Sequence, residues 1–346
     1  MPGPNIEEID RFTKPLCSRL QYETKIANLD SISRSFSLRE ERCAGLPFQI
    51  HVEPSGHCNL RCPICPRGRG IIERTGFLLF ESFERVFTPL SATLTTVVFS
   101  GFGEPLLSPD TTRMIALASQ NSVATLLNSN GTVLEDRVDA ILASRLTRIN
   151  ISLDGAVSES VHQYDEHWPF SKVLDGVRAL CEQKHRGRHQ YPFIIGQFII
   201  SDETCEEVSD LRQLALDIGI EEIRFKRMHP TMPGEMCREK LLSAYPLAEA
   251  LRNKKVKSAE KLDWSQRECM HPWGSIFLSC TGQIGVCSFD PHLSHKLGDC
   301  NDDFPTLWNN TKLRAIRKWR KGNTKGTMEP CSSCNRLPGY LVPQEG

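Results

Sequence analysis

Six short apolar segments recur from residue 48 to 228, each separated from the next by enough chain for a helix. This alternation constrains the fold more than any other feature of the sequence. FQIHV (48–52), TTVVF (95–99), VATLL (123–127), RINISL (148–153), FIIGQFII (193–200) and EIRFKRM (222–228) have strand length and are rich in β-branched or aromatic residues. Stretches 80–90, 110–119, 134–144, 170–185 and 204–218 read as the intervening helices. Repeated βαβ units with right-handed crossovers wind into a parallel sheet, so we expect an α/β chain built on a partial (β/α)6 barrel of TIM type. Ligands in such folds sit at the carboxyl ends of the strands. The unusual motifs fall there: a cysteine loop after the first segment, SGFGEP after the second, NSNG after the third and DG after the fourth.

Residues 1–46 carry scattered apolar positions (Leu20, Ile26, Leu29, Ile32, Phe36, Leu38) that suit one or two short helices packed on the main body. After about residue 230 the alternation stops and the chain turns charged, which predicts a linker over 231–263 and a smaller cysteine-bearing unit over 264–346. The barrel then occupies 47–230 and the helical extension 1–46. Basic and acidic side chains are matched at 42 each, so net charge gives no reason to expect nucleic acid or a membrane as partner. The start, MPGPNIEEID, is polar and acidic, unlike a signal peptide, and no apolar run approaches a membrane span, which predicts a cytoplasmic protein. In a long chain of that kind, 14 cysteines indicate metal ligation or redox chemistry rather than disulfides.

The loop CNLRCPIC spaces Cys58, Cys62 and Cys65 as C-x3-C-x2-C. Pro63 and Pro66 keep it from being helical, so it must wrap around something with its sulfurs inward. A structural zinc ion wants four protein ligands, and no fourth stands at a fitting distance. Three thiolates on an iron–sulfur cube instead leave one iron open to a small molecule. A zinc loop, or a disulfide with a spare thiol, is the competing reading.

CNLRCPIC resembles the cluster-binding signature of the radical S-adenosylmethionine (SAM) superfamily, and the resemblance runs over roughly residues 48–230. It implies a 4Fe–4S cluster on Cys58, Cys62 and Cys65 whose open iron chelates SAM, cleaved on reduction to a 5′-deoxyadenosyl radical that takes hydrogen from a substrate. Ile64 stands where the family often has an aromatic residue near the adenine. SGFGEP resembles the family's Gly-Gly-Glu-Pro motif: Gly101 and Gly103 would let the backbone approach the ligand, and Glu104 would hold the SAM amino group. NSNG, beginning at Asn128, resembles the Thr-Asn-Gly strand end, and in ISLDG the resemblance assigns Ser152 to the SAM ribose or carboxylate. Gln197, polar within an apolar strand, would either face the barrel interior and touch cofactor or stand at an edge or outward position. A plain turn is the alternative for SGFGEP, and turn formation for Asn130 and Asp154. Where relatives place an arginine after the fourth strand, VHQYDEHW offers only His162, Asp165 and His167.

Residues 269–287 contain C-x12-G-x4-C, with Gly282 as the glycine, followed by CSSC at Cys331 and Cys334. Together with LGD (297–299), LWN (307–309) and Arg317, this resembles the SPASM domain or its shortened twitch form. Cys269, Cys287, Cys331 and Cys334 would ligate one auxiliary 4Fe–4S cluster, giving two clusters in all. A zinc ribbon is the competing reading. Of the spare cysteines Cys280 ranks first, with Cys300, as an extra ligand or a thiol that returns a hydrogen atom. Asp290 stands where dehydrogenating relatives place a proton acceptor, or is a turn residue. The basic stretches KHRGRH and KLRAIRKWRKGNTK read as solvated surface. The expected activity is an oxidoreductase or epimerase of a small carbohydrate or aminocyclitol in natural-product biosynthesis, with flavodoxin or ferredoxin as reductant. Maturation of a ribosomal peptide is the second reading, and a zinc-binding module without catalysis the third.

Overall fold

The computed structural model describes residues 5–62, 65–153, 168–200, 208–227, 269–321 and 328–332. Strands β1 (Gln49–Val52), β2 (Thr96–Phe99), β3 (Ala124–Ser129), β4 (Arg148–Ser152), β5 (Phe193–Ile200) and β6 (Glu222–Arg227) lie side by side in chain order, every pair parallel. All six coincide with the expected apolar segments. Between them run helices Phe80–Phe87, Thr111–Gln120, Val138–Ala143, Phe170–Arg186 and Val208–Ile218, the αβ alternation of a partial barrel.

The period of two along each strand separates its faces. Ile50, Val52, Val97, Phe99, Leu127, Ile149, Ile151, Ile194 and Phe198 join Phe83, Met114, Ile141, Val173 and Leu180 of the helices in one core. Burying side chains of this size contributes roughly 1.5–3 kcal/mol each. The other face carries His51, Asn128, Asn150, Ser152 and Gln197 beside the apolar Val98, Leu126 and Ile195, so polar side chains gather on one side of the sheet.

The sheet continues past β1. Strand β7 (Ser275–Leu278) pairs with β1 in parallel, and β8 (Gln283–Gly285) and β9 (Lys296–Asp299) follow antiparallel, making nine strands in the order 6-5-4-3-2-1-7-8-9. The first residues of the C-terminal cysteine unit are thereby an extension of the barrel wall.

Helix α1 (Ile6–Phe12) lies at the amino ends of the strands: Phe12 meets Phe193 with ring centroids 5.7 Å apart, and Glu8 pairs with Arg148 at 3.1 Å and Arg224 at 3.7 Å. Helix α2 (Arg19–Ser37) has 19 residues, far longer than the short helix expected. A capping box between Ser18 and Gln21 starts it, and no glycine or proline interrupts it before Ser37. The basic stretch after Asn310 also departs from its solvated reading. Arg317 is fully buried and donates to the carbonyls of Pro272, Glu41 and Trp308 and to Asn309 Oδ1, stapling the C-terminal unit to the segment before β1. No helix among the described residues is long and apolar enough to cross a membrane.

Candidate functional site

The loop bearing Cys58, Cys62 and Cys65 leaves the carboxyl end of β1. Its stem is a narrow ladder: the Gly56 amide donates to Gly76 O at 2.8 Å, the Leu78 amide to Pro54 O at 2.9 Å, and Ser55 bridges to Phe77. His57 Nε2 accepts the Gly76 amide at 3.0 Å, which engages this histidine in the stem. All three cysteines are half-buried free thiols. Cys58 Sγ accepts the Leu60 amide at 3.5 Å and the Asn130 side-chain amide at 3.7 Å. Burial pushes the Cys58 thiol up, so the positive charge of bound iron is what would hold it as thiolate.

Asn130 serves both readings of NSNG. Its Oδ1 accepts the Thr132 amide at 3.0 Å, a turn bond, while its Nδ2 reaches Cys58 and Asn59 Oδ1, the latter at 3.1 Å. Glu104 is 2% exposed and accepts from the Leu106 amide (3.0 Å), Ser129 Oγ (2.8 Å) and the Asn130 amide (2.8 Å). Burial pushes its carboxyl up while these three donors pull it down. Through these bonds Glu104, the residue expected at the SAM amino group, braces the ends of β2 and β3 together. The two glycines of the motif are closely surrounded. A Cβ at Gly101 would lie 2.5 Å from Glu53 Cγ, and one at Gly103 would lie 2.1 Å from Ser55 O. A side chain at either position would meet protein atoms, so each backbone packs closely only as glycine.

On the polar face, Asn150 Nδ2 donates to Asn128 Oδ1 at 2.7 Å, leaving Asn150 Oδ1 buried without a hydrogen-bond partner. Ser152 and Gln197 stand opposite one another on β4 and β5, and Gln197 lies on the face away from Ile194 and Phe198. Glu53 and Arg74 escaped the sequence reading. Glu53, just past β1, is fully buried and forms a bidentate pair with Arg74 (2.6 and 3.1 Å). A polar residue closing an apolar strand was the one available signal for it.

In the C-terminal unit, Cys287 Sγ accepts the Phe289 amide at 3.4 Å, repeating the arrangement at Cys58, where the donor is also two residues on. Such amides point at sulfurs that carry negative charge, as cluster ligands do. Cys269 and Cys331 are half-buried. Gly282 turns the β7–β8 hairpin at φ 76°, with Cys300 packed beneath it. Cys280 is 3% exposed, and burial followed by the Glu53 carboxylate pushes its thiol up to about 12. Asp290 is buried; Oδ2 accepts the His295 amide at 2.9 Å and Oδ1 has no hydrogen-bond partner. No three His, Cys, Asp or Glu side chains among the described residues converge on a single ion. Thiols that each bind a separate iron of a cube do not have to. Ile64, Asp154, His162, Asp165, His167 and Cys334 lie outside the described residues.

The profile of the radical SAM superfamily matches residues 52–234, and that of SPASM, an iron–sulfur cluster-binding domain, matches 269–335. The GTP 3′,8-cyclase of Clostridium acetobutylicum is 26% identical over 197 residues, 55% of this chain and 59% of that protein, so the chain spans under two thirds of that relative. Among solved structures, SuiB of Streptococcus suis aligns with TM-score 0.59 at 14% identity, covering 90% of this chain and 78% of SuiB. BtrN in complex with AdoMet and 2-DOIA aligns with TM-score 0.52 at 17% identity, covering 84% of this chain and 94% of BtrN.

Proposed function

This chain belongs to the radical SAM superfamily and ends in a SPASM iron–sulfur domain. From that premise we propose that it removes a hydrogen atom from a small polyhydroxylated substrate of the carbohydrate or aminocyclitol class, for net oxidation or epimerisation. A cluster on Cys58, Cys62 and Cys65, with SAM bound, would supply the 5′-deoxyadenosyl radical. Residues 47–230 carry that chemistry, and 264–346 hold the auxiliary cluster through Cys269, Cys287, Cys331 and Cys334. Flavodoxin or ferredoxin serves as reductant in the cytoplasm.

The observation that carries the reading is Cys58 Sγ taking two amide donors at the carboxyl end of the sheet. Asn130 orients that sulfur, and Glu104 fixes Asn130 through its backbone. Asn128, Asn150, Ser152 and Gln197 offer neutral amides and hydroxyls to a ligand on the barrel's inner face, with Asn150 Oδ1 open to a donor. Cys280 is kept protonated, as a hydrogen-atom donor must be, and the open Oδ1 of Asp290 suits a proton acceptor. The small-molecule class is supported by the ligand 2-DOIA in BtrN. A peptide substrate is the second reading, favoured by the likeness to SuiB.

The test is anaerobic reconstitution with iron and sulfide, then dithionite and SAM. We expect iron for two clusters, a SAM-induced change in the electron paramagnetic resonance (EPR) signal, and released 5′-deoxyadenosine. Stoichiometric zinc and no 5′-deoxyadenosine would sink the proposal.

A further inference from the structure

We propose that Glu53 and Arg74 are positioning residues whose buried ion pair fixes the backbone of Cys280 and Asp290 against the stem of the cysteine loop. The pair thereby sets where the C-terminal unit stands relative to the SAM-binding end of the sheet. This rests on the functional reading above.

Glu53 sits where β1 ends, and Arg74 comes from the loop that follows the three cysteines. Arg74 Nε donates to Glu53 Oε2 at 2.6 Å and Nη2 to Oε1 at 3.1 Å. The same carboxylate accepts the amide of Phe102, in SGFGEP, at 3.1 Å and the amide of Cys280, just past β7, at 3.4 Å. The remaining Arg74 nitrogen, Nη1, donates to the carbonyl of Pro291, the neighbour of Asp290. One ion pair therefore reaches the exit of β1, the loop beyond the cysteines, the end of β2 and two turns of the C-terminal unit. Arg67 adds a bond of 2.6 Å from Nη2 to Arg74 O, which ties the pair back to the residues next to Cys65.

The fit is close on every side. Gly101 has no room for a Cβ because Glu53 fills it, and a Cβ at Gly56 would lie 2.7 Å from Cys280 Sγ. A buried ion pair is a poor source of stability, because desolvation offsets its attraction and well-packed apolar residues serve as well. An apolar pair, however, offers no acceptors to the Phe102 and Cys280 amides and no donor to Pro291. The planar fork of arginine, with donors pointing in several fixed directions, suits a junction between segments. Geometry of this kind determines where Cys280 and Asp290 sit without either side chain of the pair touching substrate.

The test uses the reconstituted full-length protein, anaerobic, with SAM as the only added ligand. The variants are Glu53→Gln, Arg74→Lys and the apolar double change Glu53→Leu/Arg74→Met, which leaves no unpaired charge. Spin–spin interaction between the two reduced clusters reports their separation by EPR. Hydrogen exchange at the Gly282 amide, which bonds Ser279 O at 3.0 Å and not Glu53, reports slack in the whole turn; the Glu104 amide, bonded to His57 O at 2.8 Å, is the internal control. In the double variant we expect a cooperative unfolding transition at somewhat lowered temperature, because the Phe102 and Cys280 amides lose their acceptor, together with a changed spin–spin interaction and exchange at Gly282 about tenfold faster relative to Glu104. Arg74→Lys should show the same changes in weaker form. If the double variant instead keeps the wild-type interaction and exchange, the pair places nothing and the inference fails. Should the double variant not fold, Glu53→Gln and Arg74→Lys are judged by the same two readouts. A wild-type protein whose EPR signal ignores SAM would overturn the functional reading, while exchange at Gly282 would still judge the pair.

Discussion

Cys58 and Cys287 each receive an amide from two residues further along, yet the segments that carry them are held by different mixtures of polar bonds and packing. The loop of Cys58 is fastened by polar side chains from other strands: Glu104 joins Ser129, Leu106 and Asn130, and Asn130 joins Cys58 and Asn59. The segment of Cys287 is fastened by sheet addition and packing, with β7 paired along β1, Trp273 and Trp308 buried in the core, and Arg317 stapled to backbone carbonyls. Polar bonds are directional and fix angles, which suits a site that must present one metal corner to a ligand. Packing fixes position with less angular demand, which would suit the auxiliary cluster proposed for the C-terminal unit.

The widest break in that comparison comes from the cysteines themselves. Cys58→Ala should abolish 5′-deoxyadenosine formation while the C-terminal unit keeps its own iron, so iron per chain falls to about half in metal analysis, as four-iron clusters on separate thiolate sets require. A loss of all iron would mean that the two regions do not load independently. Next is Glu104→Ala, which strips three donors of their acceptor in a buried place and should cost about 3–5 kcal/mol in urea unfolding. An effect near that of a surface substitution would show that the loop is not held by its polar brace. Arg317→Ala tests the other side. It removes four hydrogen bonds and should cost about 2–4 kcal/mol, with SAM-induced EPR change at the first cluster retained.

The same contrast explains what could be read from the sequence. Strands β1 to β6 were legible because short runs of β-branched and aromatic residues, as in FIIGQFII, are separated by helix-length stretches, and the motifs at their ends followed from topology. The close packing of Gly101 and Gly103 was not, because their neighbours Glu53 and Ser55 come from another strand's loop. Glu53 lies 227 positions from the Cys280 amide it accepts, and Arg74 lies 217 from the Pro291 carbonyl. No local period records a partner at that range. The pairing of β7 with β1 was hidden for the same reason, since SIFL reads as a strand without naming the edge it joins. Arg317 looked solvated because three other cations, Arg314, Lys318 and Arg320, lie within three residues of it, and only the tertiary fold turns it inward.

A smaller effect sharpens the packing side. Gly282 adopts φ 76° at the β7–β8 turn, and a Cβ there would also lie 2.9 Å from Cys300 Sγ. Gly282→Ala should therefore cost about 1–2 kcal/mol in thermal or urea unfolding. If Cys300→Ala in the same chain recovers part of that loss, the contact with sulfur contributes along with the backbone.

The smallest effect is a pH dependence confined to the C-terminal unit. Burial pulls the His295 imidazole below its usual range, against the opposing pull of the Asp290 and Glu329 carboxylates, and its Nε2 has no hydrogen-bond partner. A histidine lowered in this way is neutral in the fold above the unfolded value of 6.5, where its contribution to stability is constant. As pH falls through that value the unfolded chain takes up a proton that the fold accepts only at lower pH, so stability declines with acidification. Wild-type protein should thus lose more stability between pH 7.5 and 5.5 than His295→Phe, both compared with clusters loaded so that acid lability of the iron is common to them. Equal losses in the two proteins would mean that water reaches the ring, and that this part of the packed unit is open where the structure closes it.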